Sequence, residues 1–203
     1  MKKNNYCIKN NYQSRSKYDH HDDRCLKDGW QLEVYLRALG LMKKYNFTSV
    51  ADIGCGSGYK LMTYFKEYKT IGLELLEPLQ HLKSKYPGRT WLESNFDINY
   101  NINVDVLICS DVIEHVVDPD TLIDYINKIS FKYLILSTPD RDLVYGREAS
   151  KYKTGPPRNV THQREWSFEE FNKYISQYFK ILDHYIINYR QATQSIICVN
   201  SER

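Results

Sequence analysis

The chain has no apolar stretch long enough for a signal peptide or a membrane span, so no membrane partner is expected. It also lacks a dominant charge. Its 28 Lys and Arg against 25 Asp and Glu give a net charge of +3, too mild to imply nucleic acid by itself. Its five cysteines (Cys7, Cys25, Cys55, Cys109 and Cys198) form an odd set without metal-finger spacing. A cytoplasmic protein with reduced thiols is the expectation. Cys109 and Cys198 fall in apolar runs and read as core residues, Cys55 as a small side chain in a turn. What remains is a chain of 203 residues, 42% hydrophobic, able to bury the core of one globular domain. Glycine is scarce, nine in all. Yet three of them fall at positions 54, 56 and 58.

That cluster belongs to Val50-Ala51-Asp52-Ile53-Gly54-Cys55-Gly56-Ser57-Gly58, a strand running into a glycine-dense turn that opens a helix. Glycines there accept positive φ and let the backbone approach a nucleotide-like ligand. A dinucleotide site uses the same parts, with an acidic residue about 20 residues on. Glu74, closing the next apolar run, meets that requirement too. Asp52 decides between the two readings. A carboxylate just before the glycines repels a pyrophosphate and suits a cationic ligand or an amino group. The segment resembles the glycine-rich signature of the class I S-adenosylmethionine-dependent methyltransferases, a likeness that extends over roughly Thr48 to Phe171.

The pattern along the chain agrees. The first 29 residues show no sustained period and read as a loose arm, in which Tyr6, Tyr12 and Tyr18, spaced by six, are placed to fold over a cleft. From Trp30, the positions Leu32, Tyr35, Leu36, Leu39 and Met42 follow helical spacing. Strand-like runs recur near 48–53, 70–74, 89–93, 104–109 and 132–137, separated by helical stretches near 57–68, 77–86 and 119–129. Alternation of this kind predicts a parallel sheet covered on both faces. A helix at 167–178 and two apolar runs at 181–187 and 195–199 follow, the runs reading as an antiparallel hairpin. The expected fold is therefore α/β, Rossmann-like, with a mostly parallel seven-stranded sheet. One domain over 30–203 is expected, with the polar stretch of about 141–160 as an acceptor-binding loop. Arg141, Arg147 and Arg158 in it suit a phosphate or carboxylate.

Ligands of open α/β sheets lie beyond the carboxyl ends of the strands. Asp52 with Gly54, Cys55, Gly56 and Gly58 is placed for the amino and carboxylate end of the cofactor, and Glu74 for its ribose diol. Asn95 and Asp97 are candidates for adenine, and Ser110 ends the fourth strand beside the cofactor. Asp111, Glu114 and His115 follow that strand at i, i+3, i+4, so in a helical turn they share a face. His162 lies before Ser167, an N-cap with Glu170 three residues on.

Taken together, Asp111-x-x-Glu114-His115 and His162-x-x-Glu165-Trp166 resemble the metal-dependent small-RNA terminal 2′-O-methyltransferases, and the first half is similar to the ubiquinone-pathway O-methyltransferases. The resemblance implies metal ligation by Glu114, His115 and His162. Asp111 departs from the pattern, which has glutamate there. With Asp111 included, the mixed set suits magnesium, manganese or zinc. His115, His162 and Glu114 are then the catalytic candidates, as ligands or, for the histidines, as a general base. The expected activity is methyl transfer from S-adenosylmethionine to oxygen, with a sugar hydroxyl of a glycan or nucleotide sugar as the favoured acceptor. RNA ribose, a small aromatic or quinone-like hydroxyl, and a non-catalytic cofactor-binding role are the alternatives.

Overall fold

A computed structural model describes residues 4–15 and 29–200 of the chain. Among the described residues are seven strands, β1 (Ser49–Ile53), β2 (Lys69–Glu74), β3 (Thr90–Glu93), β4 (Asn103–Ser110), β5 (Ser130–Pro139), β6 (Phe179–Asn188) and β7 (Thr193–Asn200). They form one sheet in the order β3-β2-β1-β4-β5-β7-β6. The first five are parallel, and β7 runs antiparallel to both β5 and β6. The order reverses between β1 and β4, which opens a crevice at their carboxyl ends.

Alternation of side chains sorts the core into two layers. Along β4, Leu107 and Cys109 point to the layer that holds Trp166, Phe171 and Tyr174. Val106 and Ile108 point to the other, which holds Tyr35, Met42 and Phe65. Helix α1 (Leu32–Lys44) covers this second layer, burying Val34, Tyr35, Ala38 and Met42. Its buried stripe is rotated from the predicted one, and Leu36 is exposed. The Tyr35 hydroxyl donates to Asp52 Oδ2 at 2.8 Å, a tie that favours the 34/35/38/42 face.

Helices α2 (Tyr59–Tyr64), α3 (Leu76–Lys85) and α4 (Pro119–Ile126) connect the parallel strands. Asp118 caps α4 by accepting from Asp120 N, with Pro119 in the first turn. At α7 (Phe168–Ile175), Ser167 and Glu170 form the expected reciprocal capping box.

Two regions differ from expectation. The stretch read as one long loop contains the short helices α5 (Arg141–Val144) and α6 (Ala149–Tyr152), with a 3-10 turn at Gly146–Glu148 between them. Polar surface residues hid the pattern, since such short helices bury little. Nor are residues 4–15 of the arm loose. Ile8 and Tyr12 are buried in the core, while Gln13 N donates to Thr154 O and Arg15 N to Gln163 O. Tyr18 and Cys25 lie outside the described residues.

Candidate active site

The glycine turn tightens as its sequence requires. Gly54, Gly56 and Gly58 have φ of 72°, 53° and 68°. A Cβ on Gly54 would collide with Val112 Cγ2, and one on Gly58 would lie 2.7 Å from Leu82 Cδ2. The backbone of the turn is strapped to β2. Gly54 N and Cys55 N both donate to Leu73 O, and Gly56 N donates to Glu74 Oε2 at 2.7 Å. Glu74 Oε1 accepts from Leu75 N at 2.8 Å. These bonds fix the carboxylate at the edge of the crevice, where each of its oxygens can accept more than one hydrogen bond.

A cleft of about 800 Å³ opens above the turn. Gly54, Glu74, Asn95 and Ser110 line it, and so does Lys60, a residue with no motif of its own in the sequence although it follows the glycines by two positions. Lys60 is buried and its ammonium stands 5.0 Å above the Tyr35 ring. Phe96 also lines the cleft. Asp97, the other candidate for adenine, is exposed and outside the lining. Its backbone N–H donates to Asn95 Oδ1 at 3.1 Å, which makes the pair a local turn.

On the far side of the cleft stand the acidic and imidazole residues. Ligand atoms of Glu114, His115 and His162 all lie within 4.8 Å of one another. Asp111 is not in this group. It has φ 51°, and the 3-10 turn that follows spans only Ile113–His115, so the predicted shared helical face does not exist. Instead Ser137 Oγ donates to Asp111 Oδ1 at 2.6 Å. With its proton committed there, Ser137 Oγ accepts from Asp111 N at 3.2 Å and from Ser110 Oγ at 2.9 Å. Asp111 thus serves to lock the ends of β4 and β5.

Glu114 is fully buried. Its Oε2 accepts from Thr138 Oγ1 at 3.0 Å, and its Oε1 is buried with no hydrogen-bond partner among the described residues. Burial, reinforced by the charge of Asp111, pushes the Glu114 carboxyl well above the usual carboxylate range. Burial raises Asp111 as well, opposed by its bonds to Ser137 and Gln31. Oε1 lies 4.0 Å from His115 Nε2, and the two imidazole rings meet edge to face at 4.7 Å. His115 Nδ1 is 3.0 Å from Thr161 O, which can only accept, so Nδ1 carries the proton and Nε2 keeps its lone pair. His162 Nδ1 is 2.7 Å from Glu165 Oε1, which also accepts from Tyr145 OH at 2.8 Å.

A carboxylate oxygen aimed between two imidazole nitrogens, each ring fixed from behind by a carbonyl or a carboxylate, is a donor set that a divalent cation fits. Behind it, Thr138 holds the Glu114 carboxyl, Tyr145 the Glu165 carboxylate and Asn159 the His162 ring. Only Thr138 carried a signal in the sequence, its place at the end of a buried strand. The segment that presents His162 is held from several directions. Gln163 N donates to Glu114 O at 2.7 Å, Glu165 N to Tyr12 OH at 3.0 Å, and Arg164 to the carbonyls of Val116 and Val117.

The model of a methyltransferase-domain family matches residues 18–180. No curated protein matches the chain in sequence. Solved structures do match in fold. Magnesium protoporphyrin IX methyltransferase (ChlM) from Synechocystis PCC 6803, with bound SAH, superposes with a TM-score of 0.64 at 16% identity, covering 84% of each chain. The methyltransferase domain of bacterial CtHen1-C gives 0.64 at 17% identity, covering 85% of this chain and 99% of that one. The small RNA methyltransferase HEN1 gives 0.63 at 20% identity, covering 92% of this chain and 27% of that one. Joined to the glycine turn and the carboxylate that closes β2, these matches show that the chain belongs to the methyltransferase-domain family and is an S-adenosylmethionine-dependent enzyme of the class I fold.

Proposed function

We propose that this methyltransferase acts on an oxygen, assisted by a divalent cation held by Glu114, His115 and His162, and that its favoured acceptor is a sugar hydroxyl of a glycan or nucleotide sugar. The observation that carries the reading is the buried Glu114 Oε1, which lacks a hydrogen-bond partner among the described residues and faces two imidazoles. Bound there, magnesium, manganese or zinc would lower the pKa of an acceptor hydroxyl and leave positions for a vicinal diol. The cofactor supplies an activated methyl carbon.

The chain's own residues do the rest. We assign Glu74 to the ribose hydroxyls, and the amino-acid end of the cofactor to Lys60, which lines the cleft, and to Asp52, which is buried and bonded to Tyr35. Gly54 lines the cleft with Asn95 and Ser110, and Cys55, Gly56 and Gly58 are assigned to the cofactor as the rest of the turn that holds Gly54 in place. Glu165 and Thr161 hold the two imidazoles in the tautomers that turn Nε2 inward. Val116, Val117 and Val144 give the acceptor side apolar walls that exclude water. Among the described residues the lining holds one lysine and no arginine, which favours recognition of the sugar through its hydroxyls, with any phosphate of a nucleotide sugar lying outside the cleft. The stretch 141–160, which supplies Val144, Tyr145 and Asn159 to the lining, is the acceptor-binding insert.

A second reading is the terminal ribose of an RNA. It is supported by the fold likeness to the small RNA methyltransferase HEN1 and by Arg147, Lys151 and Arg158 on the insert, although Lys151 and Arg158 already pair with Glu148. The test is a methylation assay with nucleotide sugars, short glycans and small RNAs, each with and without chelator. Chelator-sensitive transfer to a sugar hydroxyl is the expected result. Full transfer in excess chelator would sink the metal, and transfer to RNA alone would replace the acceptor.

A further inference from the structure

The turn from Asn159 to His162 touches both imidazoles of the trio, and the role assigned to it rests on the proposal that Glu114, His115 and His162 hold a cation. His162 N donates to Asn159 O at 3.2 Å, closing the turn. Asn159 Oδ1 accepts from Thr161 N at 3.1 Å and from Thr161 Oγ1 at 2.9 Å. Two donors on that atom fix the orientation of the amide, so the atom 2.9 Å from His162 Nε2 is the Nδ2 donor. The opposite ring nitrogen faces the Glu165 carboxylate. In the neutral ring, Nδ1 therefore carries the proton, and Nε2 accepts from Asn159. This Nε2 is also the atom left to bind a cation beside Glu114 Oε1, because Nδ1 is already engaged.

From this geometry we infer that the Asn159 side-chain amide is a removable cap on the ligating nitrogen of His162. Without a cation it satisfies Nε2 and holds the ring aimed at Glu114. On binding, the cation displaces Nδ2, and Asn159, which lines the cleft, turns its freed donor toward the acceptor. The cap is neutral, so it competes for Nε2 without contributing an anionic ligand. Asn159 thus sets the metal affinity of the site and links metal binding to the wall of the acceptor cleft.

Asn159→Asp separates this role from support of the turn. Aspartate keeps an oxygen for Thr161, removes the N–H from His162 Nε2, and places a second carboxylate oxygen beside it. Titration with Mn²⁺ alone, followed by electron paramagnetic resonance, should show about tenfold tighter binding than the wild type. Binding equal to or weaker than the wild type, while Glu114→Gln loses Mn²⁺, would overturn the cap. If the wild type and Glu114→Gln both fail to bind Mn²⁺, the metal reading itself falls, and the cap with it. A second measurement needs no variant. In ¹⁵N-labelled wild type titrated with Mg²⁺, the Asn159 amide and the His162 Nε2 resonances should move together with one midpoint. A static Asn159 amide while His162 responds would count against the cap.

Discussion

The two halves of the cleft are built by different means. The cofactor half is local. Gly54 and Cys55 bond to Leu73, and Gly56 to Glu74 across 18 residues, so the one segment from β1 through the turn and α2 to β2 carries most of its own geometry. The acceptor half is assembled from afar. His115 meets Thr161 across 46 residues, Glu165 meets Tyr12 across 153, and Lys9 N donates to Glu170 Oε1 across 161. A site made by neighbours in sequence survives distant changes. One stitched from an N-terminal segment and a late loop depends on both ends of the chain.

Removing the cation or its ligands should split the halves most sharply. With chelator, or in Glu114→Gln and His162→Ala, turnover is expected to fall on the order of a thousandfold. Binding of S-adenosylhomocysteine by calorimetry should be unchanged. A parallel loss of both would show that the halves are one unit.

The converse experiment is Glu74→Ala. This carboxylate is buried and holds Gly56 N and Leu75 N, more than a strand-end position suggests. Losing charged hydrogen bonds there should weaken S-adenosylhomocysteine by about 1.5–3 kcal/mol, with Mn²⁺ binding intact.

A smaller effect is expected from Tyr12→Phe. It strands the buried Glu165 N–H, so unfolding by denaturant should cost about 1–2 kcal/mol less. The change should reach turnover through the His162 segment and leave cofactor affinity alone. If cofactor affinity falls instead, the arm supports the whole cleft.

The smallest effect belongs to His184 beneath the acceptor half. It stacks on Phe168 at 3.6 Å and its Nε2 donates to Gln194 Oε1 at 3.1 Å. Burial pushes it down to about 4. The unfolded histidine, near 6.5, takes up its proton first as pH falls. Its contribution is therefore complete above about pH 6.5 and is lost as pH falls through 4. Discounted for partial exposure, the loss is on the order of 1 kcal/mol, and His184→Phe should flatten that part of the pH–stability curve.

Most of the sheet was legible because buried parallel strands announce themselves as apolar runs between helical periods, as Asn103–Ser110 does. The glycine turn was legible because three glycines in five residues mark a tight turn, where positive φ and close packing against Val112 and Leu82 disfavour other side chains. Glu114, His115 and His162 were legible as residue types at a motif's spacing, and their convergence only through the resemblance, since it depends on Gln163 N reaching Glu114 O. Asp111 misled for a local reason. The chain leaves β4 with a positive φ at that residue, so helical spacing does not apply.

The sequence by itself therefore determined the order of the strands and of the helices that join the parallel ones, the tight turn and the chemical kinds gathered near the strand ends, because each follows from short-range patterns of burial and backbone freedom. Tertiary structure alone decided which face of α1 is buried, that residues 4–15 clasp the 154–166 segment, and that Gln163 N reaches Glu114 O. Those outcomes rest on hydrogen bonds between distant segments, and nothing in the local spacing of either partner specifies the other.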